Sequence, residues 1–305
     1  MTFPVTIFLK RLSLLLALLL CLPAPGAASQ LRPVASVAVA APRVVPSAFP
    51  SDLGEIVYRK NGGSSVQVFI IVNSHRSIGG GNGPDTVQSQ VETFRIGEWL
   101  IGKEQIALLL PEGYFGRQAG TAPAPGAPVR LGGEELAAEL TDTSAFVNAE
   151  LLLHRNYGIG LQQIEDQSLY WQTRDRLQTG LTGAARLKPG FVAGLEYLQK
   201  LRLAAILQNI PEAIEGEYRQ GRIASPRAML TIGMAHLDDL IDYLETGRIQ
   251  LPVPATEEQE FESLNAELEL VRQAMGVTII VPRTLCASRT PLQMASAETE
   301  ELPLR

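Results

Sequence analysis

Arg227–Asp239 reads RAMLTIGMAHLDD, and the order of its residues decides the fold class. Ala228 to Ile232 are five mostly apolar residues, Gly233 and His236 follow, and Asp238 and Asp239 come directly after. A short apolar run bounded by glycine marks a strand buried on both faces, and acids placed just beyond it suit the positive start of a helix. The stretch therefore predicts a buried strand that delivers a histidine to the start of a helix. VQVFIIVNSH, from Val66 to His75, delivers a second histidine in the same way, and Gln105–Leu110 leads through Pro111 to Glu112. Strand signals of this kind alternate with helical periodicity along the chain. They predict an α/β fold with a mostly parallel central sheet flanked by helices.

Working outward, Glu55–Lys60 and Ser65–Val72 flank Asn61-Gly62-Gly63, a turn signal that predicts a hairpin. SIGGGNGPD, from Ser77 to Asp85, is a glycine-rich loop without the lysine and spacing of a phosphate cradle. A helix with one apolar face starts near Thr86, and Val87, Val91, Phe94 and Ile101 fall on that face. Ala119–Gly133 is a Pro/Gly/Ala loop. Helical patterns then dominate about 134–222, read as a helical insertion or lid, with a short strand over Gly158–Ile164. Phe191–Ile210 predicts a long helix, and Pro211 is placed to open another. Thr256 with Gln259 fits a capping box, Gly276 fits a helix stop, and Phe261, Leu264, Leu268, Val271 and Met275 give the helix between them one face. Val277–Val281 is the last strand.

At the start, Lys10 and Arg11 precede the apolar run Leu12–Leu20, and small residues follow at Ala24–Ser29. That layout predicts a signal peptide over 1–28 and an exported, periplasmic or secreted protein. Residues 29–52 read as a flexible linker, 53–282 as a single α/β domain, and 283–305 as a loose tail. Loss of Lys10 and Arg11 would take the formal net charge from −6 to −8. An acidic chain of that kind argues against nucleic acid or an anionic membrane surface as a partner, and no nucleic acid and no integral membrane segment in the mature chain are expected. Cys286 alone would remain of the two cysteines, so no internal disulfide forms.

Three apolar runs end in a ligating or proton-carrying residue: His75, Glu112 and His236. A fourth, weaker run ends in Glu165 and Asp166. Ligands of open α/β sheets sit beyond the carboxyl ends of the strands, where such residues would meet. Two imidazoles and a carboxylate suffice to hold a divalent metal with a position left for water. In that arrangement His75, His236 and Glu112 are the metal ligands, Glu112 and Glu165 are the catalytic carboxylates, and Glu165 takes the proton of the water. The same groups suit metal-free chemistry with histidine as general base. Asp238 and Asp239 read as helix-start acids, and His154 as a boundary residue. No Gly-x-Ser-x-Gly element is present.

IGMAHLDDLIDYLETG around His236, FIIVNSH before it and LLLPEG around Glu112 together resemble the TraB/PrgY and TIKI group, which is related in fold to the erythromycin esterase and ChaN-like haem-binding proteins. Gly233-Met234-Ala235-His236 matches the Gly-x-x-His element of that group, whereas Val72 stands where the first such element would have its glycine. The resemblance spans about residues 65–245. It implies a metal-dependent peptidase or hydrolase that acts on a small-molecule or peptide substrate through His75, His236 and Glu112. A non-catalytic periplasmic protein that binds haem or another small ligand, and a metal-free esterase-like hydrolase, are the alternative expectations.

Overall fold

The computed structural model of the chain describes residues 48–74, 83–120, 131–142, 147–182, 189–254 and 263–287. Pro84 and Asp85, at the end of the glycine-rich loop, already begin a helix, whereas the signal-like start, most of the linker, His75 and most of that loop, and the Thr256/Gln259 capping box lie outside the described residues. Within them, strands β1 (Gly54–Lys60), β2 (Gln67–Asn73), β3 (Leu108–Pro111), β4 (Arg117–Gln118), β5 (Gly160–Gln162), β6 (Arg227–Gly233) and β9 (Gly276–Pro282) form one sheet. Its order is β1-β9-β2-β6-β3-β5-β4. The five inner strands run parallel, and β1 and β4 close the edges antiparallel. The α/β reading with a mostly parallel sheet is therefore what the chain adopts. β7 (Arg248–Leu251) and β8 (Leu264–Glu267) pair separately.

The strand sequences explain the layers. Every residue of QVFIIVN in β2 and GVTIIVP in β9 is buried, as expected of central strands covered on both sides. Successive side chains point to opposite faces. Val68, Ile70 and Val72 pack with α5 (Pro189–Arg219) and α6 (Leu237–Thr246). Phe69 and Ile71 pack with α1 (Pro84–Lys103), α2 (Gly133–Thr141) and α3 (Ala149–Tyr157). The result is three layers, helices–sheet–helices. Because β2 feeds α1 on one face and its neighbour β6 feeds α6 on the other, the carboxyl ends of β2 and β6 flank a topological switch point, where such sheets bind ligands.

Several local expectations change. The Asn61 turn exists, with Asn61 at φ 49, but β1 and β2 do not pair. The apolar strand β9 lies between them and bonds both, β1 antiparallel and β2 parallel. Gly276 is a close-approach residue at the start of β9 rather than a helix stop. A Cβ there would lie 2.7 Å from Gln67 Cγ and 2.9 Å from the Asn61 carbonyl oxygen. Gly276→Ala is expected to cost about 1–3 kcal/mol by overpacking a site that includes backbone, measured as a lower urea midpoint.

The long final helix is not formed over the described residues 263–276. Leu264–Glu267 is strand β8, paired with β7, and only Glu269–Arg272 is helical, as α7. Pairing with Arg248–Leu251 overrides a pattern that is also compatible with a helix. In the helical region about 134–222, Leu203, Leu207, Ile210 and Ile214 of α5 are fully buried against the sheet, and β5 belongs to the sheet. α5 also continues through Pro211 instead of restarting there. Part of the supposed tail, Arg283–Ala287, is helix α8. Glu92 of α1 holds it by accepting from the Thr284 N–H at 2.8 Å and from its hydroxyl at 2.7 Å. Phe49, assigned to the linker, packs edge-on against Trp99 at 5.4 Å. No helix among the described residues is long and apolar enough to cross a membrane.

Candidate functional site

The carboxyl end of β6 behaves as its sequence implies. After Gly233 the chain makes one tight turn, Met234–His236, and enters α6, which buries His236 at the switch point. Asp238 and Asp239 occupy the first turn of α6, where its positive end favours acids. In the parallel register Asn73 at the end of β2 stands level with Gly233, and Pro111 at the end of β3 stands level with Thr231. His75 follows Asn73 by two residues in the sequence and lies outside the described residues.

Glu112, directly after β3, is the centre of the site. Its Oε2 accepts the Gly233 N–H at 2.7 Å, which ties the ends of β3 and β6 together. Its Oε1 accepts from Arg202 Nη2 at 3.1 Å and faces His236 Nε2 at 3.7 Å. Gly113 then turns with φ 75, a left-handed conformation that glycine adopts without strain, and points its N–H to Glu165 Oε2 at 2.9 Å. Glu165 Oε1 takes the Nε and Nη2 groups of Arg202. One guanidinium thus bridges two carboxylates that come from the ends of different strands.

This cluster is nearly dry. Side-chain exposure is 9% for Arg202, 7% for Glu112, 0% for Glu165 and 10% for His236. Burial raises the Glu165 carboxyl above its ordinary range and the Glu112 charge adds to the rise, while Arg202 and the Gly113 N–H oppose it. A raised carboxyl in the folded state contributes stability below the ordinary carboxyl range and loses it as pH climbs through the raised value. Glu165→Gln is therefore expected to flatten the fall of stability with rising pH just above that range, read from urea midpoints across pH.

Three of the four predicted site residues, Glu112, Glu165 and His236, meet here; His75 is the fourth. Asp166 does not join them. Its Oδ1 accepts the N–H groups of Ser168 and Leu169 at 2.8 and 3.0 Å, so it caps α4 (Gln167–Thr182). His154 is a half-buried boundary residue whose Nδ1 meets the Ile159 carbonyl at 2.6 Å. Arg202 is the member that sequence reading missed. Its signal was a cation in the apolar stripe of α5, four residues from both Leu198 and Ile206, which are 4% and 1% exposed.

For a divalent metal, His236 Nε2 and Glu112 Oε1 are two donors at a spacing that one ion can span, about 3–4 Å. Among the described residues no group of three or more His, Cys, Asp or Glu side chains is placed to share an ion. No protein-family model, curated protein or solved structure matches the chain.

Proposed function

We propose that this chain is a hydrolase of esters or peptide-like amides that works by general acid–base chemistry at His236 and Glu112. The observation that supports it is the Glu112 carboxylate, fixed at one oxygen by the Gly233 N–H and at the other by Arg202, and turned toward His236 Nε2 across 3.7 Å. That gap exceeds a direct hydrogen bond but is too short to hold a water in line between the two atoms. The reacting water therefore sits to one side of the pair, within hydrogen-bond reach of both. In this mechanism His236 takes a proton as the water oxygen bonds to the carbonyl carbon. It then returns the proton to the leaving oxygen or nitrogen as the second bond breaks. Glu112 orients the water and the imidazole. Arg202 and Glu165 hold Glu112 and its turn in place, because neither oxygen of Glu165 is open to solvent.

A second reading follows the resemblance to the TraB/PrgY and TIKI group, with a divalent metal held by His75, His236 and Glu112. The 3.7 Å spacing of His236 and Glu112 favours it. When bound, the metal would lower the pKa of a water molecule. Elemental analysis of protein purified without chelator, followed by ester and peptide hydrolysis before and after metal stripping, tests both readings. Turnover that survives stripping supports the metal-free mechanism. Turnover lost on stripping and restored by one divalent ion supports the second. Absence of turnover in both states, with saturable uptake of haem or another small ligand, would contradict both. Export is part of the proposal and rests on the layout of Lys10, Arg11 and Leu12–Leu20.

A further inference from the structure

Beside the carboxylate cluster stands a row of aromatic rings that the acid–base chemistry does not use. The Arg202 guanidinium lies 5.2 Å from the centre of the Tyr170 ring. Tyr170 also borders Gly113, the residue between Glu112 and the turn, where an added Cβ would meet Tyr170 Cε2 at 3.7 Å. Its ring packs edge-on against Phe115 at 4.8 Å and Trp171 at 5.3 Å. Trp171 is 42% exposed, and Arg174 covers one side of it at 4.8 Å. The row therefore runs from the buried guanidinium that holds both carboxylates out to a half-open indole.

An exposed tryptophan alone is ordinary. Here the ring is continuous with the reacting cluster through Tyr170, and all three rings come from segments that leave the ends of β3 and β5. Edge-to-face and stacked ring contacts are favoured by the opposed charge of ring faces and edges, so an open aromatic wall selects planar or aromatic groups. Cations at both ends of the row polarise the rings further.

We propose that Phe115, Tyr170 and Trp171 form the specificity wall of the site and bind an aromatic or planar apolar group next to the scissile bond of the substrate. Tyr170 is the positioning residue that joins this wall to Arg202. The proposal rests on the hydrolase reading for its scissile bond, and its test reads binding alone so that the two can fail separately.

The chain has two tryptophans, Trp99 and Trp171, so Trp99→Phe leaves Trp171 as the sole indole. Its fluorescence would be titrated with N-acetyl-phenylalaninamide and with N-acetyl-alaninamide. A saturable change with the phenylalanine probe, about 3–10-fold tighter than with the alanine probe, is the expected result. Calorimetric titration of the otherwise native protein, which does not depend on Trp99→Phe, is expected to show the same preference. Trp171→Ala and Tyr170→Leu should each abolish that preference, and Tyr170→Phe should keep it. Equal or no binding of the two probes to natively folded protein would overturn the proposal. Preference for the phenylalanine probe in a protein without hydrolytic turnover would contradict the hydrolase reading and leave the wall standing.

Discussion

Arg202→Met is expected to destabilise the fold by about 3–5 kcal/mol, the cost of leaving buried carboxylates without their cation. The side chain it replaces is 9% exposed and meets Glu112 at 3.1 Å while also holding Glu165. Methionine fills similar apolar space, so the loss reports charge and hydrogen bonding rather than a cavity. The same variant carrying Glu112→Gln and Glu165→Gln should recover most of the loss, because no buried charge is then uncompensated. Urea denaturation of the single and triple variants measures both effects. A single variant within about 0.5 kcal/mol of the native protein would mean that the bridge does not exist in solution, since shifts of that size are typical of uninvolved surface positions.

The second large effect is catalytic. His236→Ala is expected to lower ester or peptide hydrolysis by about 10²–10⁴-fold, the range for loss of a positioned general acid–base. Its far-ultraviolet circular dichroism should match the native protein. The imidazole sits in the turn between β6 and α6, where backbone bonds are carried by the strand register and the helix rather than by its ring. A loss of turnover with intact fold separates a chemical role from a merely structural one.

The fold was legible where burial leaves a local mark. RAMLTIG and QVFIIVN are apolar on both faces because each is covered by helices on two sides, and such runs announce central strands without any partner being known. The histidine and glutamate at strand ends were legible for the same reason: His236 and Glu112 stand where an apolar run stops. Pairing was not legible. Asn61 does turn the chain, yet β9 enters from more than 200 residues away and takes the place that a hairpin partner would have had. Leu264–Glu267 carries a spacing compatible with a helix, and only its alignment with Arg248–Leu251 makes it a strand. Arg202 was hidden by its setting on a long helix, where cations usually face water; its role appears only when α5 is laid against the ends of β3 and β5. Glu165 was visible as a strand-end acid, but the dry pair it forms with Arg202 depends on that same long-range packing.

The claim that His236 and Glu112 act as one unit is tested most directly by a double-mutant cycle on hydrolytic rate. Native protein, His236→Ala, Glu112→Gln and the double variant would be assayed on one ester substrate, each checked for native circular dichroism. Groups that act together lose their contribution once, so the double variant should be no slower than the worse single variant within about threefold. Losses that multiply, or a Glu112→Gln protein as fast as the native one, would contradict the account.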